Sequence, residues 1–240
     1  VPLAEIDGIE VYYEVHGDGP ALLLIPGLGA DIRMFSGISS ALAERRRVVM
    51  FDPRGAGRSA KPDIPYSIDG MADDAAGLLR LLGIEHPTVV GYSMGGRIAL
   101  SLALRHAALV GRLVLASTSA HTPPVKPFGW RWFVMDVLSR VPVPKAIDAQ
   151  PRFAFARQRQ ASRTFDCSDR LAQITMPTLV LHGRNDHLVP VALAEELGDH
   201  VPDARVVTVA GGHMALVTTQ RRRFVQELLA FSEPTTEPWS

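Results

Sequence analysis

The chain has 240 residues, 47% hydrophobic and 21% charged, with 25 Lys/Arg against 25 Asp/Glu and a formal net charge of zero. Nothing in that balance suggests nucleic acid or an anionic membrane as partner. The single cysteine, Cys167, excludes an intrachain disulfide and suits a reducing compartment.

The length suits one globular domain with room for an inserted subdomain. Residues 1–7 carry no basic region followed by an apolar run, and no segment approaches the roughly 20 apolar residues that cross a bilayer. We therefore expect a cytoplasmic protein. Short apolar runs predict strands at Val11–Val15, Ala21–Ile25, Val48–Phe51, Thr88–Val90, Leu113–Ala116, Thr178–Leu181 and Arg205–Val209. Helical spacing falls between them at Met34–Glu44, Ile68–Leu82, Met94–Arg105, Val191–Leu197 and Thr218–Phe231. The alternation predicts an α/β fold, a mostly parallel sheet with helices on both faces. Before Leu22 the strands come without helices between them, so the first edge should be antiparallel.

The alternation breaks between Ser119 and Arg170, 52 residues that hold six of the 18 prolines and seven of the 16 aromatics. We expect a lid subdomain at 119–170 inserted into a core made of 1–118 and 171–240. The lid carries nine Lys/Arg against four Asp/Glu, +5, which leaves −5 on the rest. Two readings stand: a basic lid attracted to an acidic body, or a positive mouth that draws in an anionic substrate. The aromatics Phe128, Trp130, Trp132 and Phe133 likewise either form the lid's own small core or wall an apolar substrate pocket. No internal repeat or low-complexity tract is present, and the tail after Phe231 reads as frayed and solvated.

Chemistry concentrates in Gly91-Tyr92-Ser93-Met94-Gly95-Gly96, a G-x-S-x-G run between a predicted strand and a small-residue helix. A serine on so sharp a turn needs minimal side chains two residues before and after it. Its hydroxyl also needs a histidine to take the proton and a carboxylate to orient that histidine. Asp186 lies just past a strand, on the sheet edge where ligands collect in open α/β sheets; the alternative is an Asp that caps the following helix. His213 follows Gly211-Gly212 after the last strand, where a glycine loop can fold over the same edge. His16, His86, His106 and His200 fall in the early hairpin, at helix ends or in polar loops. His182 and His187 flank Asp186, but their spacing matches zinc sites poorly, and no metal is expected. Two backbone N–H groups should stabilise an oxyanion: Met94, next to the nucleophile, and Leu28, in the Pro26-Gly27-Leu28-Gly29 turn at another strand's end.

The order Ser93, Asp186, His213, the Leu24–Gly29 turn and the D-x-R-G-x-G-x-S run from Asp52 to Ser59 together resemble the α/β-hydrolase superfamily, in its serine-nucleophile branch. The resemblance covers about residues 5–118 and 171–231 and does not extend to the lid. It implies Ser93 as nucleophile, His213 as general base then acid, Asp186 as orienting carboxylate, and the Leu28 and Met94 amides as oxyanion hole, with no cofactor. Serine in place of aspartate argues against the epoxide-hydrolase and haloalkane-dehalogenase branches. The Asp52–Ser59 turn is read as structural. That turn and the Met71–Asp74 stretch look like the carboxylesterase and 3-oxoadipate enol-lactonase group. Gly91 to Arg97, in contrast, resembles the elbow of a menaquinone-pathway synthase that eliminates pyruvate. We expect Gly27, Tyr92, Arg97, Trp130, Trp132 and Phe133 to contact a small-molecule ester; Arg97 either binds a substrate carboxylate or points from the helix start to solvent or to a sheet-edge carbonyl. The leading expectation is a serine esterase; the alternatives are a lactonase or lyase for an anionic metabolite and a noncatalytic ligand-binding protein.

Overall fold

The computed structural model describes residues 2–122 and 150–233, and its strands form one eight-stranded sheet. In chain order they are β1 (Leu3–Ile6), β2 (Ile9–His16), β3 (Ala21–Ile25), β4 (Arg47–Phe51), β5 (Thr88–Tyr92), β6 (Arg112–Ala116), β7 (Thr178–Gly183) and β8 (Ala204–Val209). Their order across the sheet is β1-β2-β4-β3-β5-β6-β7-β8. β2 runs antiparallel to both β1 and β4, and every other pairing is parallel. The helices of the described residues are α1 (Ser39–Ala43), α2 (Ile68–Leu81), α3 (Met94–Arg105), α4 (Arg152–Thr164), α5 (Ala192–His200) and α6 (Arg221–Phe231). None of them is long and apolar enough to cross a membrane.

The near-continuous apolar strands follow from burial on both faces. Side chains alternate, so Leu23, Ile25, Val89 and Leu115 pack with Leu78 and Leu79 of α2, Ile98 and Leu102 of α3 and Leu197 of α5. Leu22, Leu24, Val90 and Val114 point the other way, toward Leu42 of α1 and Phe224 and Leu228 of α6. Parallel pairing with this two-sided cover puts the carboxyl ends of β3, β5, β6, β7 and β8 on one edge, where the candidate residues lie.

Several expectations need correction. The Met34–Glu44 helix is instead a 3-10 turn at Ile32–Phe35, capped by the Asp31 carboxylate, followed by the short α1; Ser36 and Gly37 break the run. The last helix begins at Arg221, because Ala215–Val217 forms a separate 3-10 turn. β1 was not expected: its four residues alternate exposed and buried, and it joins β2 through Asp7-Gly8, both at positive φ (48° and 77°). An Asp-Gly pair between alternating residues is a hairpin signal the sequence does carry. The tail is less frayed than expected at its start. Ser232 is buried and accepts from Arg46 Nε at 2.9 Å, and Glu233 pairs with Arg45 and Arg46. Phe128, Trp130, Trp132 and Phe133 lie outside the described residues.

α4 is a polar helix within the proposed insertion. It buries only Ala154, Gln158 and Ala161, a narrow stripe at intervals of four and three.

Leu23 lies in the centre of the sheet and is fully buried. Leu23→Ala should lower the unfolding free energy by about 2–5 kcal/mol, measured as a shift in the urea midpoint at constant slope.

Candidate active site

Ser93 is the hinge between β5 and α3. Its backbone sits at φ 55°, ψ −117°, which a non-glycine residue adopts only under constraint. The surroundings supply that constraint: Ser93 N–H donates to Ala116 O at 2.8 Å, and Ser93 O accepts from Gly96 N at 2.9 Å and Thr118 Oγ1 at 2.7 Å. The glycines are required by close backbone approach. A Cβ on Gly91 would lie 2.3 Å from Gly95 O, and one on Gly95 would lie 2.1 Å from Ile25 O. Gly27 packs directly on the serine, since a Cβ there would come 3.3 Å from Ser93 Cβ and 3.8 Å from its Oγ. The Pro26–Gly29 turn is thereby held beside the hydroxyl.

β7 and β8 bring the other two candidates to the same edge. His213 Nε2 lies 3.0 Å from Ser93 Oγ, and His213 Nδ1 lies 2.7 Å from Asp186 Oδ2. This geometry fits an imidazole that donates from Nδ1 to the carboxylate and accepts from the serine at Nε2. Asp186 Oδ1 accepts from the Leu188 and Val189 N–H groups, both at 2.9 Å, so the carboxylate structures its own turn and does not cap α5. Burial pushes the Asp186 carboxyl upward, yet the hydrogen bond and charge of His213, the Val189 amide and His182 together hold it below its ordinary value.

Two expected substrate contacts do other work. Tyr92 is fully buried, and its hydroxyl donates to the carbonyl of His213 while its ring meets the imidazole edge-on, centroids 6.0 Å apart. It supports the histidine loop from below. The Arg97 guanidinium is buried and donates to Ser119 Oγ and His121 O at 2.9 Å, Thr122 Oγ1 at 2.6 Å, Ser162 Oγ at 3.1 Å and Ser162 O. It ties α4 and the chain after β6 to the body, with both terminal nitrogens engaged by protein acceptors. The Asp52 carboxylate, fully buried, accepts from the Ile32 and Arg58 N–H groups at 2.9 and 2.8 Å, as the structural reading of its turn requires.

Sequence reasoning missed Gln150, Phe155 and Gln158, which reach the Gly29 region from α4 and its approach. No local pattern marks them, because their partners are more than 90 residues away. Among the described residues, no group of three or more His, Cys, Asp and Glu could hold a metal ion.

The family model described as "alpha/beta hydrolase fold" matches residues 20–142 and 147–219. A protein of Azorhizobium caulinodans named "Putative carbamate hydrolase RutD" is 31% identical over 96% of this chain and 98% of its own length. A protein of Variovorax paradoxus with the same name is 32% identical over 95% and 98%. Among crystal structures, the enol-lactonase from Burkholderia xenovorans LB400 superposes with a TM-score of 0.84 at 28% identity, covering 96% of this chain and 99% of that one. Est816, an N-acyl homoserine lactone degrading enzyme, gives 0.81 at 26% identity, covering 96% of this chain and 100% of that one.

The site generates two predictions. Tyr92→Phe keeps the ring but leaves the His213 carbonyl without its donor, so unfolding free energy should fall by about 1–3 kcal/mol and amide exchange around residues 211–214 should accelerate. Asp186, with its pKa lowered by folding, contributes stability that is present above the ordinary carboxylate pKa and lost as pH falls through the folded value. Denaturation of Asp186→Asn between pH 7 and pH 3 should accordingly show a flatter acid limb than the wild type.

Proposed function

We propose that this chain, which belongs to the α/β-hydrolase fold family, is a serine hydrolase that cleaves a carboxylic ester through an acyl-enzyme on Ser93. The observation that carries the proposal is the unbroken hydrogen-bond chain Ser93 Oγ, His213 Nε2, His213 Nδ1, Asp186 Oδ2, with steps of 3.0 and 2.7 Å outside the ring.

In this reading Ser93 Oγ attacks the ester carbonyl carbon as its proton passes to His213 Nε2. Asp186 fixes the ring and stabilises the imidazolium. The oxyanion faces the Leu28 and Met94 amides, a role supported by the packing of Gly27 on Ser93 and by the place of Met94 at the N-terminus of α3. The carbon–oxygen bond to the alcohol then breaks, and His213 returns the proton to the leaving oxygen. A water repeats the sequence on the acyl-enzyme, releasing the acid and restoring Ser93. We further infer that the described part of the insertion, residues 150–170, covers this edge, a role supported by the packing of Phe155 against Gly29.

Lactones are cyclic esters and fall within the same chemistry, in keeping with the names of two structural neighbours. The relatives' name favours a second reading, a carbamate as substrate, which needs the same attack on a carbonyl. The elimination reading loses support with Arg97, whose donors are taken by protein groups.

Purified protein should release p-nitrophenol from short-chain esters, and a fluorophosphonate should add the mass of its phosphonyl group at Ser93. Ser93→Ala should abolish labelling and lower turnover by a factor on the order of 10⁴ or more. Faster turnover of matched carbamates than of esters would favour the second reading. A protein that neither turns over nor labels, yet retains a carboxylic acid tightly, is a binding protein and not an enzyme.

A further inference from the structure

Gln158 is a fully buried amide on a helix that is otherwise polar and solvated, and it buries beside only two alanines of that helix. An unpaired amide there would be costly, and an apolar side chain of the same length would bury without that risk. Its bonds explain its presence. Oε1 accepts the Gly29 N–H at 3.1 Å and Gln150 Nε2 at 2.9 Å, while Nε2 donates to Arg54 O at 2.8 Å. Gln150 Nε2 also reaches Gly55 O at 2.8 Å. One buried amide therefore joins α4 to two loops of the sheet edge, the Pro26–Gly29 turn and the turn after Asp52.

The Gly29 contact is the informative one. Gly29 stands at φ 69°, and its N–H orients the peptide that follows Leu28. On the other side, Ala30 N–H closes the turn onto Gly27 O at 3.1 Å. Leu28 is thus held between two hydrogen bonds. Outward movement is blocked as well, since even a Cβ on Gly29 would come 3.0 Å from Phe155 Cε2 and 3.2 Å from Gln150 Oε1. We propose that Gln158 is a positioning residue that aims the Leu28 amide at the oxyanion, making the oxyanion hole depend on α4. The proposal rests on the serine-hydrolase reading above and touches no reacting atom itself.

The test compares a p-nitrophenyl ester with its thiono analogue, whose sulfur is a poor hydrogen-bond acceptor and takes little help from an oxyanion hole. In the wild type the oxo ester should be strongly preferred. Gln158→Met should lower kcat for the oxo ester by about 10-fold to 10²-fold with KM little changed, and affect the thiono ester much less, so that the oxo/thiono ratio of kcat/KM collapses. Gln158→Glu is the rescue. Protonated or ionised, its carboxyl oxygen still accepts from Gly29 N–H, so it should keep most of the wild-type ratio. Equal losses on both esters in Gln158→Met, or a Gln158→Glu ratio as low as that of Gln158→Met, would overturn the proposal. If Gln158→Met does not fold, the smaller Gln158→Ala, read by the same oxo/thiono ratio, takes its place. Failure of the underlying reading looks different: the wild type then turns over neither ester.

Discussion

Ser93 turns the chain from a strand into a helix within one residue, and the strain of that turn organises what surrounds it. A backbone in so sparsely populated a region costs about 1–3 kcal/mol and persists only where neighbours over-determine it. Here β6 supplies Ala116 O, the segment after it supplies Thr118 Oγ1, and the first turn of α3 supplies Gly96 N–H. β3 presses in from the other side, with Ile25 O where a Gly95 side chain would be. Three neighbouring parallel strands must therefore end level with one another before the serine can be presented at all. The parallel register among β3, β5 and β6 gives that alignment.

The same edge handles charge economically. Asp186 lies between two histidines, but only one is a proton partner. His182 Nε2 is 3.4 Å from Asp186 Oδ2 and only 2.8 Å from Val189 O, so its N–H is spent on the carbonyl. Burial holds His182 below its ordinary pKa. The carboxylate charge is then left facing His213. Tyr92 completes the arrangement from beneath, tying the residue before Ser93 to the backbone of His213, 121 positions away. Ser93 and His213 are in this way fixed to each other by groups other than their own contact.

Much of this was legible in the chain. The glycines around Ser93, the strand before it and the apolar helix after it are local, and local chemistry is written in adjacent letters. Asp186 and His213 were legible because each follows a recognisable strand, so topology alone carries them to the edge. What was not legible is tertiary. Arg97 reads equally well as a ligand for a carboxylate or as a solvated helix residue until Ser119, Thr122 and Ser162 are seen around it. Gln158 in a polar run gives no sign of burial, and Tyr92 at the variable position of the elbow gives no sign of pointing down and not out. The Met34–Glu44 run failed for a different reason. Its propensity for helix was real but weak, and the Asp31 cap with the Ser36-Gly37 break divided it.

Arg97 shows why α4 belongs mechanically to the body. A guanidinium buried to this degree has only neutral partners in hydrogen-bonding contact, and burial pulls its pKa down to about 10, still protonated at neutral pH. Retaining a charge in such a place is unfavourable unless its donors are satisfied, and here they reach two separate pieces of chain: Ser119, His121 and Thr122 after β6, and Ser162 near the end of α4. The planar fork suits that task, because several acceptors lie in different directions around one rigid group. Gln158, one turn earlier on α4, fixes the same helix to the loops beside Ser93. Two buried polar side chains, Gln158 and Arg97, thus fasten α4 to the sheet edge beside Ser93 at points one turn apart.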